Sequence, residues 1–114
     1  MKVLIVDDSR MLQLRLKDAF LKANKTLEIM QALNCEQALK LFYEDKPNIV
    51  ILDIGLPDGS GIGLLRLFKK ANKAVKVIMF TNYPTKEFRK SCIMLGADLF
   101  LEKSNISSLI ESIL

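Results

Sequence analysis

The chain has 114 residues, half of them hydrophobic, with 17 Lys+Arg against 13 Asp+Glu and a formal charge of +4. That length suits a single domain, residues 1–114, with a real core, and the mild positive balance is too small by itself to argue for nucleic-acid binding. Histidine is absent, which removes the usual general base and the commonest metal ligand. Cys35 and Cys92 stand outside any C-x-x-C spacing and read as reduced residues of a cytoplasmic protein. Met1-Lys2-Val3 enters an apolar run directly, so no signal peptide is expected, and no apolar stretch approaches a membrane span.

Val3–Val6 reads as a buried strand that stops at Asp7-Asp8-Ser9. From Arg10 to about Ala23, apolar Leu12, Leu16, Ala19, Phe20 and Ala23 recur at three and four, the spacing of one helix face, with Ser9 as its cap. Leu27, Ile29 and Ala32 alternate with polar residues, as on an edge strand. Asn34 followed by Gln37 resembles a capping box for a helix that carries Ala38, Leu39 and Phe42 and ends before Pro47.

Ile49–Asp53 is a strand buried on both faces: four apolar residues, then one carboxylate. Gly55, Pro57, Gly59 and Gly61 make the loop that follows, and Ile62, Leu65 and Phe68 give the third helix its face. Val75–Phe80 is the fourth strand and stops at Thr81. Thr85 caps a fourth helix with Phe88, Cys92, Ile93 and Leu95 on its inner face, and Gly96 ends it. Leu99–Leu101 is the fifth strand, before Glu102-Lys103. Ile106, Leu109, Ile110 and Ile113 form a closing helix, which is either short or cut off at Leu114. Five strands alternating with five helices imply an α/β fold, a parallel sheet covered on both faces.

The strand interiors are almost free of polar residues, whereas the strand ends carry Asp7, Asp8, Asp53, Thr81 and Lys103. In a parallel sheet these lie along one edge, the edge where ligands bind. Three carboxylates in one crevice repel, by several kcal/mol for charges about 4 Å apart at an effective dielectric near 20. A hard divalent cation offsets that cost, and carboxylates, a loop carbonyl and water are the ligands that Mg2+ takes. With Lys103 as a mobile positive charge and Thr81 as a hydroxyl donor, the edge suits a dianionic tetrahedral group on or beside Asp53. A carboxylate can attack phosphorus and form an aspartyl phosphate.

Over essentially its whole length the chain resembles the receiver domain of two-component response regulators. The resemblance rests on Asp7-Asp8, Leu52-Asp53-Ile54-Gly55-Leu56-Pro57-Asp58-Gly59-Ser60-Gly61, Thr81, and Gly96-Ala97-Asp98 leading to Lys103. It implies a doubly wound five-stranded parallel sheet of the flavodoxin-like (βα)5 kind, strand order 2-1-3-4-5. It implies that Asp53 accepts a phosphoryl group from a sensor histidine kinase or a histidine phosphotransfer protein. Asp7, Asp8, Asp53 and the main-chain carbonyl of Gly55 would hold Mg2+. Thr81 and Lys103 would bind phosphoryl oxygens, and Phe100 stands where the family has a switch aromatic.

The surface that responds would be the fourth helix, fifth strand and fifth helix. It would control a downstream protein or output domain, or a phosphorylation-dependent homodimer through the basic face of Lys86, Arg89 and Lys90. Such a domain is a phospho-acceptor and not an enzyme on other substrates, and this segment is expected to bind neither membrane nor nucleic acid. The alternative is the receiver half of a DNA-binding transcriptional regulator whose output domain is absent here.

Phe100 lacks the hydroxyl of a Tyr, and Ser104 stands where many relatives have Pro. Gly55 and Tyr83 flank the acceptor and are expected to affect phosphate lifetime. A Mg2+-dependent phosphatase would want a second Asp where Gly55 stands. A flavin-phosphate binder would be repelled by Asp7-Asp8.

Overall fold

A computed structural model describes residues 1–114. The strands are β1 (Lys2–Val6), β2 (Glu28–Ala32), β3 (Ile49–Leu52), β4 (Lys76–Thr81) and β5 (Leu99–Glu102). Between and after them come α1 (Arg10–Ala23), α2 (Cys35–Asp45), α3 (Gly61–Ala71), α4 (Lys86–Met94) and α5 (Ile106–Ile113). All four pairings are parallel, in the order β2-β1-β3-β4-β5. The expected sheet, its order and the edge position of β2 are all present.

Side chains alternate across the strands, so each strand feeds two cores. Leu4, Val6, Val50, Leu52, Val77 and Met79 face α2, α3 and α4 and pack with Phe42, Phe68 and Cys92. Val3, Ile5, Ile51, Ile78 and Phe80 face α1 and α5, against Leu16, Phe20 and Leu109. A sheet buried on both faces explains why Val3–Val6 and β3 are uninterrupted apolar runs.

The expected caps are in place at Ser9, Asn34 and Thr85, whose side chains accept from Leu12, Gln37 and Phe88 N–H. The box at Asn34 closes differently, because Gln37 Oε1 accepts from Leu33 N–H, one residue earlier than the usual partner. Gly96 ends α4 at φ 102°, where a side chain would be strained.

Three further details differ from the expectation. Asp53 lies just beyond β3, although its N–H still donates to Val6 O at 3.1 Å and continues the ladder. Within the loop, Gly55–Leu56 pairs with Gly59–Ser60 as a short antiparallel ladder. The inner face expected for α4 is largely absent: Phe88 and Ile93 are exposed and Cys92 alone is buried. The helix meets the sheet over too narrow a strip to cover the whole stripe.

Candidate functional site

β1 and β3 are neighbours in register, with Val6 opposite Leu52, so the residues that follow each strand meet at the C-terminal edge. Asp7, Asp8 and Asp53 each place a carboxylate oxygen within 4.8 Å of the others. Asp7 and Asp53 are buried and Asp8 is exposed. Lys103 extends from the end of β5, and its ammonium bridges Asp7 Oδ2 at 2.7 Å and Asp53 Oδ2 at 2.8 Å.

The remaining oxygens of the two buried acids are also occupied. Asp7 Oδ1 accepts from Ser9 N–H and Asp53 Oδ1 from Ile54 N–H. Three carboxylates face one ammonium, which leaves a formal excess of two negative charges at this edge. The donor set is all oxygen and suits a hard divalent cation.

The electrostatics follow from burial. Desolvation pushes the Asp7 carboxyl above its ordinary value, and the hydrogen bond from Lys103 only partly reverses this. Burial pulls Lys103 down, but its bonds to the Asp53 and Asp7 carboxylates outweigh that and hold its pKa up. The ammonium therefore stays charged across the physiological range.

Thr81 closes β4, the other neighbour of β3, and is fully buried. Its Oγ1 accepts from Tyr83 N–H at 3.1 Å, which leaves its own proton free to donate. Its carbonyl accepts from Lys103 N–H at 2.9 Å and so ties β4 to the residue that bridges the acids. Gly55 stands in the short ladder with open space above it except for the Tyr83 ring, which a Cβ there would meet at 3.8 Å. Gly61 is required by close approach, since a Cβ would fall 1.8 Å from Asp53 O. Phe100 is not at the acid edge; it lies beneath α4, buried, with its carbonyl accepting from Arg89 Nη2.

The contacts of three residues escaped the sequence reading. Asp58 caps α2 from a distance, its carboxylate accepting from Cys35 and Glu36 N–H at 2.7 and 3.1 Å. Arg89 sits 5.3 Å over the Phe100 ring. Gln13 is buried behind the Asp7–Asp8 turn. Of these only Gln13 left a trace in the sequence, as a polar residue between Leu12 and Leu16 in a buried stripe.

The family model for the response regulator receiver domain matches residues 3–114. The chain belongs to this family. It is 32% identical over 96 residues to sporulation initiation phosphotransferase F of Bacillus subtilis, a match that covers 84% of this chain and 76% of that one. It is 32% identical over 110 residues to a Pseudomonas aeruginosa protein named "Putative transcriptional regulator", covering 96% of this chain and 53% of the relative. It therefore spans about half the length of that relative. A CheY-like receiver domain protein from Methanospirillum hungatei JF-1 superposes with a TM-score of 0.89 at 30% identity, covering 98% of this chain and 89% of that one.

The chain is thus a receiver domain of a two-component response regulator, a signalling domain. Receiver domains of this kind work with histidine kinases or phosphotransfer proteins and with output domains. No helix is long and apolar enough to cross a membrane.

Proposed function

We propose that residues 1–114 form one receiver unit and that Asp53 is its phosphoryl acceptor, with donation from a sensor histidine kinase or a histidine phosphotransfer protein. The observation that carries this is the meeting of Asp7, Asp8 and Asp53 around the ammonium of Lys103. As an Asp53 carboxylate oxygen bonds to phosphorus, the bond from phosphorus to the donor imidazole nitrogen breaks and its electron pair stays on the imidazole. Asp7, Asp8, Asp53 and the Gly55 carbonyl are the ligands we assign to Mg2+. Bound there, the cation supplies positive charge for the crowded carboxylates and for the transferring group.

Lys103 leaves Asp7 and follows a phosphoryl oxygen, and Thr81 donates its free hydroxyl proton to another. Such transfer relies on positioning and charge more than on a protein base, which agrees with the absence of His. Tyr83, lying over side-chain-free Gly55, limits the approach of water to Asp53 and so sets phosphate lifetime.

Movement of Thr81 changes the space on the face of β4 that it shares with Phe100 and α4. The α4–β5–α5 surface then carries the signal to a downstream protein or output domain, or to a second copy in a phosphorylation-dependent homodimer. Free thiols at Cys35 and Cys92 suit the cytoplasm. A second reading, the receiver part of a DNA-binding regulator, is favoured by the Pseudomonas relative, about half of which this chain spans.

Incubation with acetyl phosphate and Mg2+ should add one phosphoryl group to the wild type and none to Asp53→Asn, read by intact mass. Labelling of Asp53→Asn at the wild-type rate would place the acceptor elsewhere.

A further inference from the structure

Gln13 is a polar side chain in a place where helices of this kind bury an apolar one. It lies on α1 one turn before Leu16, in the stripe that packs on the sheet, and is 3% exposed. Its Nε2 lies 2.9 Å from Ile5 O, 3.0 Å from Ala32 O and 3.2 Å from Asp7 O. A carboxamide has two N–H donors, so three carbonyls share them. They are the carbonyls where β1 and β2 end, and Ala32 O also accepts from Asp7 N–H. The amide orientation follows from this set, because the reverse would aim Oε1 at three carbonyl oxygens. The helix is held in turn, since Gln13 O accepts from Gln31 Nε2 at 2.9 Å.

The cost is visible at the other end of the same group. Gln13 Oε1 is buried and has no donor. A leucine or methionine here would fill the core and remove that orphaned Oε1. What it could not do is hold Asp7 O, which belongs to the peptide plane joining Asp7 to Asp8.

We propose that Gln13 is a positioning residue for the metal site: its amide fixes the Asp7–Asp8 peptide so that both carboxylates face Asp53. The inference rests on the reading of Asp7, Asp8 and Asp53 as the cation ligands. It extends that reading to a residue that touches neither cation nor phosphoryl group. Groups that orient metal ligands in this way typically change affinity by 10- to 100-fold when removed.

The test is a Mg2+ titration followed by backbone amide shifts, on the wild type, Gln13→Met and Leu109→Ala. Methionine keeps the length of the side chain and removes both donors. Leu109→Ala opens a cavity in the α1–α5 core and serves as a control for simple destabilisation. The expected result is a Mg2+ dissociation constant raised about tenfold in Gln13→Met and unchanged in Leu109→Ala. With acetyl phosphate at saturating Mg2+, the phosphorylation rate of Gln13→Met should return close to that of the wild type. An unchanged dissociation constant in Gln13→Met overturns the proposal, as does an equal rise in Leu109→Ala. If the wild type itself binds no Mg2+, the metal reading fails and this inference fails with it; the wild-type arm alone distinguishes that case.

Should Gln13→Met not fold, the wild type still decides. The Gln13 side-chain amide signals should shift along the same Mg2+ binding curve as the Asp7 and Asp8 amides. Side-chain signals that stay fixed while those amides move overturn the proposal.

Discussion

α3 and α4 cover the same face of the sheet, yet one is built into the core and the other rests on it. α3 buries Gly61, Leu64, Leu65 and Phe68, and Phe68 stacks on Phe42 with ring centroids 4.0 Å apart. A polar latch adds to this: Lys69 Nζ donates to Val75 O at 2.5 Å and to Asp98 Oδ2 at 2.8 Å, and Val77 N–H donates to the same carboxylate oxygen. α4 buries Cys92 alone. Its other hold on the sheet is Arg89, whose guanidinium covers the Phe100 ring and donates to Phe100 O at 3.2 Å.

Segments with few buried apolar groups are the ones that open or shift at little cost in free energy. The difference therefore assigns two tasks. α3 and the loop before it hold Asp53 still, while α4 is free to shift.

The sharpest way to break the comparison is to disturb α3 at its start. Gly61→Ala would drive a methyl group into Asp53 O, since the Cβ position is 1.8 Å away. Backbone on both sides must move, and overpacking of that severity costs about 3 kcal/mol. Urea melts should show that loss across the whole protein, with phosphorylation falling in parallel. A variant as stable as the wild type would mean that this approach is not as tight as the geometry states.

The next effect concerns the acid edge. Cation binding to the folded state only should stabilise by mass action, by about 1.4 kcal/mol at ten times the dissociation constant. Asp8→Asn, at the exposed member of the cluster, should raise the stability of the metal-free protein slightly and reduce the gain from Mg2+. Hydrogen exchange should slow around Asp7, Asp53 and β3 more than in α4. A uniform change in both regions would erase the proposed division, and a wild-type melting temperature indifferent to millimolar Mg2+ would refute the cation site.

How far the sequence carried this picture differs between the two regions for the same physical reason. Asp7, Asp53, Thr81 and Lys103 were legible because each ends an apolar run, and a parallel sheet brings such ends to one edge whatever the helices do. α4 was misread because periodicity reports which residues could share a face, not whether a partner surface is wide enough to cover it. Phe88 and Ile93 fit the stripe and remain outside. The contacts of Asp58 and Arg89 were illegible for another reason. Their partners, the α2 N-terminus and the Phe100 carbonyl, are fixed by tertiary packing, and nothing in the local sequence distinguishes either from an ordinary surface charge. Gln13 lay between these cases: its polarity was readable, its three carbonyl partners were not.

A smaller effect tests α4 directly. Arg89→Ala removes one hydrogen bond and one cation–π contact, together about 1 kcal/mol for an exposed residue. The loss should be local. Global melts should move little, while amide exchange in residues 86–95 accelerates and the Phe100 ring signals broaden or shift. Equal protection loss in α3 would mean that the two helices open as one unit.

The smallest effect reaches the acid-edge loop from its far side. Burial pushes the Cys35 thiol up to about 11, and the neighbouring Asp58 carboxylate adds to the shift. The backbone N–H of Cys35, with that of Glu36, in turn holds Asp58 below the usual carboxylate range. A folded-state pKa above the unfolded one means that the native protein keeps a proton which the unfolded chain has released. That contribution to stability is complete below pH 9 and is lost as pH rises toward 11. Because the thiol is only partly shielded from water, the loss should stay below about 1 kcal/mol, well under what the full shift implies. Above that range a thiolate would stand beside the Asp58 carboxylate and loosen the contact between the loop after Asp53 and the start of α2. Stability measured from pH 8 to 11 in the wild type and in Cys35→Ala, which cannot titrate there, isolates the term from lysine and tyrosine ionisation. The wild type should lose more than the variant, with the excess exchange confined to the α2 N-terminus and residues 55–60 and absent from α4. Identical pH profiles would show that Asp58 and the thiol are not coupled, leaving the loop anchored by the two N–H groups alone.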